Sequence, residues 1–540
     1  MSRLTKYATK EAATERIHAE SRVTNFMGGN SYELSPLATL RIVAASSIFG
    51  EPQYYRDGLD TSKRVSAFMS QTEHDIFKEV FGNKGAVEIF IDAIDNALTH
   101  DFKGTLELAK ELRHEYNMRL NPAVIYVRAS LHADRKAFNE ANPGYMKSVG
   151  KAIAGRPDDL TNQLEYYIWA NGSKSGMPSL LKRTWAERLE EYSRYQLNKY
   201  KGKSLIDLVR ISHASSPDID ELMKTGTLVV ESTEQTWETL RSAGKTWTEI
   251  MDTIKIPHMA LLRNLRGIFT EIKDSAVAKE VVSQLKAGVP SGKQFPFRYY
   301  SAYKAVERET AVNHKGLILD GLEECMDIAV ANMPKLNGVV ACLSDNSGSA
   351  WGILNSEYGT THVAEIANLS SLITAKQADE GYVGVFGDRL SVQPVSKRNG
   401  LLGQLKETST RGKNQGGGTE NGIWMFWDQA IKEKIHYDTV FIYSDMQAGH
   451  GGLYGVNARE YSEYVHKKGG SYIDVLALVK DYRKKVNPKV NVFTVQVAGY
   501  NNSVLPENFY RGAVLAGWTG KEPVFAKAII DAWDSIENSK

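Results

Sequence analysis

The chain has 540 residues, 42% of them hydrophobic and 24% charged, with a formal net charge of +2. That length exceeds one ordinary core and calls for two or more domains, while the composition is globular and excludes a disordered or collagen-like chain. The near balance of charge neither demands nor excludes nucleic acid, so any basic surface has to be local.

The N-terminal stretch MSRLTKYATKEAATERIHAES carries charges throughout and no apolar core segment, so it does not read as a signal peptide. From about residue 36 to 333 the pattern is helical almost without interruption. In SPLATLRIVAASSIFG, Ser35 is the expected N-cap, Pro36 the first helical residue and Gly50 a stop. Similar units follow: GAVEIFIDAIDNALTH, GTLELAKELRHEYN, NPAVIYVRASLHA, SLIDLVRISH, IPHMALLRNLRGIFTEI and AVAKEVVSQLKAG. Such a series of short amphipathic helices predicts stacked helical pairs of the HEAT type; an irregular all-helical domain is the alternative.

After ANMPKLNG the period changes. GVVACLSD, YVGVFG, DTVFIYSD and VNVFTVQVAG are short β-branched or aromatic runs, and GAVLAGW is a last strand-like one. Helical segments THVAEIANLSSLITAKQ, IWMFWDQAIKEKI, YIDVLALVKDYRKKV and EPVFAKAIIDAWDSIENS alternate with them. Strands alternating with helices predict a parallel, doubly wound sheet. The expected organisation is therefore a helical domain over 1–335 and an α/β domain over 336–540. Two cysteines, Cys325 and Cys342, are too few for a disulfide scaffold or a structural zinc site and read as buried reduced thiols. No run approaches the roughly 18 apolar residues of a membrane span, so a cytoplasmic location with no membrane partner is expected.

The first strand of the second domain leaves its apolar run through Asp345, with Ser347 and Ser349 at alternate positions after it. A later strand, TVFIYSD, also ends in an acid, Asp445, and between them NQGGGTENG presents Thr419 after three glycines. In an open parallel sheet, ligands collect beyond the carboxyl ends of the strands. Two carboxylates and three hydroxyls there suit a hard divalent cation, with Mg²⁺ expected. Alone, D-x-S-x-S also fits a solvated turn in which Ser and Asp cap the backbone.

The order Asp345, Ser347, Ser349, Thr419, Asp445 resembles the metal-ion-dependent adhesion site of von Willebrand factor A domains. Other chemistries fit less well. A haloacid-dehalogenase phosphatase needs an acid where Ser347 stands, no G-x-x-x-x-G-K-[ST] loop occurs, and DNSGS lacks the glycine of a hydrolase elbow. Such a fold usually binds rather than catalyses, so no enzymatic activity is expected.

Residues 178–213 carry a local basic surface. Lys182 and Arg183 begin one cluster; Lys199, Lys201 and Lys203, interleaved with Tyr200, form a second; Arg210 and His213 close the next helix. Lys and Arg neutralise phosphates and Tyr stacks on an unpaired base. By pattern alone a solvated helix face compensated by Glu187, Glu190 and Glu191 is favoured, and His213 alone reads as a structural histidine.

Domain order and the stretches IPHMALLRNLRG, FPFRYYSAYKAV and KYKGKSLIDLVRISH, with the five metal positions, resemble the TROVE-domain proteins of the Ro autoantigen family, its bacterial members in particular. The resemblance implies a ring-shaped, HEAT-like helical-repeat domain followed by a von Willebrand factor A domain, in a monomer. It implies small noncoding Y RNA on the outer surface and single-stranded 3′ ends of misfolded RNA in the central hole. Lys199, Lys201 and Lys203 fall where family members contact Y RNA. Arg263 and Arg266 either face the hole or support it. Bacterial relatives imply a 3′→5′ exoribonuclease partner in RNA quality control, maturation, decay and stress responses. The alternative from another class is a protein-binding A-domain adhesion or chaperone module, whose metal takes a partner carboxylate.

Overall fold

The computed structural model describes residues 20–25, 30–45, 84–229, 236–292, 294–351, 353–356, 359–418, 422–446, 458–466, 472–497, 501–507, 509–516 and 520–538, with Lys78 and Gly82 as single positions. Gly50 and Thr419 lie outside them. Two compact units emerge. One holds residues 35–66 and 83–234; the other holds 1–34, 67–82 and 235–540.

The smaller unit is helical: α1 (Pro36–Ala45), α2 (Ala86–His100), α3 (Phe102–His114), α4 (Leu120–Leu131), α5 (Arg135–Ala141), α6 (Tyr145–Ile153), α7 (Pro157–Asn171), α8 (Ser179–Glu190), α9 (Arg194–Lys199), α10 (Lys203–Ser212) and α11 (Pro217–Thr225). The expected cap is present at α1, where the Ala38 N–H donates to Ser35 Oγ at 3.2 Å and Pro36 opens the helix. Some helices pack on their chain neighbours, α1 on α2 and α3 on α4, and others across the chain, α7 on both α4 and α10. Trp185 is fully buried and its indole N–H donates to Gln163 Oε1 at 2.8 Å, which satisfies the buried indole.

The larger unit combines helices α12 (Trp237–Ser242), α13 (Trp247–Thr253), α14 (His258–Glu271), α15 (Ser275–Gly292), α16 (Pro296–Arg308) and α17 (Lys315–Ala331) with a sheet. The chain enters that sheet at β3 (Leu336–Asp345). The hairpin β4 (Ile353–Ser356) and β5 (Gly359–His362), helix α18 (Val363–Lys376), β6 (Ala378–Phe386), β7 (Leu390–Pro394) and α19 (Leu401–Lys413) follow. Then come α20 (Gly422–Lys432), β8 (Thr439–Ser444), β9 (Val465–His466), β10 (Tyr472–Ile473), α21 (Val475–Lys485), β11 (Asn491–Gln496), β12 (Asn502–Ser503), β13 (Gly512–Ala516) and α22 (Glu522–Asn538). The six-stranded order is β13-β11-β8-β3-β6-β7, parallel except for the antiparallel edge strand β7. Its five parallel strands are the five apolar runs of the sequence. Strands β3, β8 and β11 are almost wholly buried, as a sheet covered on both faces requires.

Near the N-terminus, β1 (Arg22–Thr24) and β2 (Asn30–Glu33) form a hairpin that pairs with β12 in a small separate sheet. Nothing in the local pattern announces it, because its third strand lies some hundreds of residues away. Both cysteines are free and buried; burial pushes the Cys325 thiol up to about 12 and the Cys342 thiol well above its ordinary value, leaving both as packing groups.

Candidate metal centre and basic surface

Parallel pairing sets Ser344 of β3 opposite Tyr443 of β8, which brings the carboxyl ends of the two strands together. Asp345 closes β3, and Asp445 follows β8 directly. Both carboxylates are buried, Asp345 at 1% exposure and Asp445 at 8%. Asp345 Oδ1 accepts the Ser347 N–H at 2.9 Å, and Oδ2 accepts Ser444 Oγ at 2.7 Å. Burying a carboxylate this deeply is costly unless hydrogen bonds or a cation compensate it. Ser347 Oγ and Ser349 Oγ stand 3.2 Å apart, so the alternation turns both hydroxyls to one side.

The glycine-rich loop comes to the same place. The Gly348 N–H donates to the Gly417 carbonyl at 2.8 Å, and Asp388 accepts the N–H groups of Gly417 and Gly418 at 3.1 and 3.0 Å. Gly416, at φ +95, makes the turn that allows this, with Asp388 packed where a Cβ would stand. Thus Asp345, Ser347, Ser349 and the start of the Thr419 loop are brought together, with Asp445 on the neighbouring strand end. The all-oxygen set fits a hard dication. Among the described residues no group of three or more His, Cys, Asp or Glu side chains is placed to hold a metal ion, so the set here relies on two carboxylates and hydroxyls.

Several supporting residues escaped the sequence reading. Asn346 donates to the Ser344 carbonyl at 3.0 Å and forms a reciprocal pair with Asn368 at 2.9 and 3.0 Å, while Ser344 Oγ donates to Asn368 Oδ1 at 2.7 Å. Gln496 Nε2 donates to the Asp445 carbonyl at 3.1 Å, and Asn25 Nδ2 to that of Met446 at 3.5 Å. A signal for Ser444 was present: Ser-Asp closes both β3 and β8, at 344–345 and 444–445.

The basic residues lie on α8, α9 and α10 of the helical unit, with Lys201 in the turn between α9 and α10 and His213 at the C-cap of α10. Arg183, Lys199, Lys201, Lys203, Arg210 and His213 are exposed and Lys182 half-buried. The Lys199 ammonium sits 5.7 Å from the Tyr195 ring centroid, and Lys201 Nζ donates to Thr227 Oγ1 at 2.7 Å. Tyr200 has Arg156 over its ring at 5.7 Å.

The three acids that would compensate these cations face elsewhere. Glu187 pairs with Lys147 at 2.7 Å, Glu191 with Lys151 and Arg188, and Glu190 accepts the Ser215 N–H at 3.2 Å. Against its own partial burial, the Glu191 carboxyl is held below its usual range by the bonds from Lys151 and Arg188. Asp207 on α10 bonds Lys174 at 2.6 Å, which depresses its carboxyl in turn. Among the described residues, Lys182, Arg183, Lys201, Lys203 and Arg210 have no carboxylate within ion-pair distance. His213 ends α10 at φ +58, a left-handed position usually given to glycine. In the other unit, Arg266 pairs with Glu309 at 2.7 Å and Arg263 is exposed.

The comparisons agree with this architecture. The TROVE domain family model matches residues 221–319, the span that contains IPHMALLRNLRG and FPFRYYSAYKAV. No curated protein matches the sequence. The crystal structure of the Ro protein (RSR) of Deinococcus radiodurans superposes with a TM-score of 0.55 at 16% identity, covering 81% of this chain and 93% of that one. The chain thus shares that protein's fold, and the resemblance to a bacterial Ro protein of the TROVE-domain family is borne out on both counts.

Proposed function

We propose that the chain is a non-catalytic RNA-binding protein that carries a small structured RNA of the Y type on the basic surface of α8–α10. Single-stranded 3′ ends of misfolded or immature RNA bind in the hole of the helical ring that the family likeness implies. A 3′→5′ exoribonuclease acts on the RNA so presented, in quality control, maturation or decay in the cytoplasm under stress. The observation that supports the first surface is the separation of charges: Glu187, Glu190 and Glu191 are engaged by other partners, so the cations beside them keep their charge for phosphate.

Asp345, Ser347, Ser349, Thr419 and Asp445 would hold Mg²⁺, which supplies a positive site for one further oxygen ligand. On this reading the ion serves to bind, and the chain's own contribution is to hold two carboxylates and the hydroxyls in place before it arrives.

The test is a triple Lys199, Lys201, Lys203→Ala variant titrated with a folded small RNA and, separately, with a single-stranded 3′ tail. The slope of log affinity against log salt for the folded RNA should fall by about 2 to 3, the single-strand to duplex range for three lost phosphate contacts. The tail should change much less. Equal weakening of both would merge the two surfaces into one, and no weakening of the folded RNA would return the lysines to a solvated helix face.

A further inference from the structure

Helix α7 packs against α10 of the basic surface and carries a large aromatic side chain into solvent. Trp169 is 48% exposed, whereas Tyr166, one turn earlier, is fully buried, and the two rings lie 5.8 Å apart with their planes tilted by 30°. Glu165 accepts Ser204 Oγ of α10 at 3.0 Å, and Lys174, just past α7, bonds Asp207 of α10 at 2.6 Å. Trp169 stands between these two ties in the chain, one turn beyond Glu165 on the same side of α7. Lys174, and after it Lys203 and Arg210, hold the Asp207 carboxyl below its usual range, so three cations border one acid along α10. The turn after α7 is itself fixed: the Tyr167 hydroxyl and the Asn171 amide donate to the Ser175 carbonyl at 2.7 and 3.0 Å.

We propose that Trp169 is a stacking platform for an unpaired base of the RNA held on the basic surface of α8–α10. The inference rests on the reading that this surface binds RNA, and it adds a contact to a base where the lysines and arginines meet phosphates. The sequence draws attention to Tyr200, but that ring is half-buried with Arg156 over it, and Lys199 and Arg188 lie in the same way over Tyr195 and Tyr192. Trp169 instead reaches solvent. Single exposed apolar side chains are ordinary on protein surfaces; what distinguishes this one is its company. Lys174, Lys203 and Arg210 are placed to engage phosphates on either side of a base whose flat face meets the indole. An indole packed on Tyr166 has few torsions to freeze, so stacking costs it little rotamer freedom. A stack ignores the edge of the base, so any nucleotide splayed from a bulge or loop fits and a fully paired helix does not.

The experiment uses the full chain and two short RNA hairpins, alike except that one carries a single bulged fluorescent purine analogue and the other pairs it. Binding to the wild-type chain should quench the bulged analogue, and that hairpin should bind more tightly than the paired one. Trp169→Ala should remove the quenching and weaken the bulged hairpin about tenfold, the size of one base–aromatic stack, leaving the paired hairpin unchanged. Its salt slope should stay at the wild-type value, because a stack releases no counterions. Trp169→Phe should keep most of the affinity and Trp169→Leu should not, since an aliphatic side chain keeps apolar surface but offers no ring face. Circular dichroism confirms that the variants fold. Equal weakening of both hairpins, a lower salt slope, or unchanged affinity and quenching in Trp169→Ala would overturn the stack, the last of these leaving the indole to a protein contact or to solvent. If the wild-type chain bound neither hairpin, the RNA reading of the surface would fall and the stack with it.

Discussion

The basic surface of α8–α10 and the loop cluster at the ends of β3 and β8 solve opposite problems with charge. On the helices the cations are exposed, with an aromatic ring under Lys199 and a hydroxyl against Lys201. At the sheet, the Asp345 and Asp445 carboxylates are buried to 1% and 8% exposure, and that of Asp345 is fixed by directed hydrogen bonds. Exposed charges act additively and through salt-screened fields, whereas a buried, bonded set acts as a unit. One region should therefore tolerate single substitutions and respond to salt, and the other should do the reverse.

The largest effect expected from that contrast is at Asp345. Its replacement by Ala removes one of two carboxylates and leaves the Ser444 hydroxyl and the Ser347 N–H without their acceptor. Calorimetry should show Mg²⁺ binding abolished, while folded-RNA affinity and the helical circular-dichroism signal persist. Ser349→Ala should weaken Mg²⁺ less, since a neutral hydroxyl contributes less to a dication than a carboxylate does. Unchanged Mg²⁺ affinity in Asp345→Ala would remove the metal assignment altogether.

A smaller but sharper effect is expected at Gly412, on the last turn of α19. A Cβ there would meet Asn346 Oδ1 at 1.9 Å, and Asn346 cannot yield because the Ser344 carbonyl and Asn368 hold it. Gly412→Ala should cost about 1–3 kcal/mol of stability, the usual range for overpacking, and should lower Mg²⁺ affinity without touching any ligand. On the basic surface a single Lys203→Ala should reduce the RNA salt slope by only about 0.7 to 0.9. If Gly412→Ala were silent, the claim that the sheet site is rigidly prepared would fail.

How far the sequence foretold each region follows the same division. The five parallel strands and the metal-type residues were legible because β-branched runs and a fixed spacing are local facts. The edge strand β7 was not, since LSVQP is short, only partly buried and ends in proline. Helix α19 was missed because LLGQLKETSTRGK offers few apolar positions and two glycines. The supporting Asn346–Asn368 and Asp388 contacts were out of reach, because a lone polar residue acquires its role only from a distant partner. On the helices the reverse held. The lysines were obvious, but only the structure showed that Glu187, Glu190 and Glu191 point to other partners.

Packing in the larger unit adds a pH dependence of its own, near neutrality. His258 opens α14, its Nε2 lies 2.7 Å from Tyr299 Oη, and its ring rests where Cβ atoms on Gly288 and Gly292 would stand. Burial lowers its pKa, so the unfolded chain binds the proton more readily than the folded one. The stability this neutral ring supplies is present above its unfolded pKa of about 6.5 and is lost as pH falls through the depressed folded value. His258→Gln should flatten that part of a melting-temperature profile between neutral and mildly acidic pH. A wild-type profile already flat there would show that the ring is not the titrating group.

The smallest effect separates a structural from an RNA role at His213. Its left-handed φ of +58 costs a residue with a side chain about 1–2 kcal/mol that glycine avoids, offset by the roughly 0.4–1 kcal/mol of chain entropy a glycine loses on folding. His213→Gly should therefore raise stability slightly, by about 0.5–1 kcal/mol, in chemical denaturation. If the exposed imidazole touches RNA, the same variant should bind the folded RNA a few-fold more weakly while melting at a higher temperature. Those opposite signs are the expected outcome, because a residue kept in a strained cap against its own backbone preference is being kept for its side chain. Unchanged RNA affinity would make His213 an ordinary cap and confine the basic surface to the lysines and arginines before it.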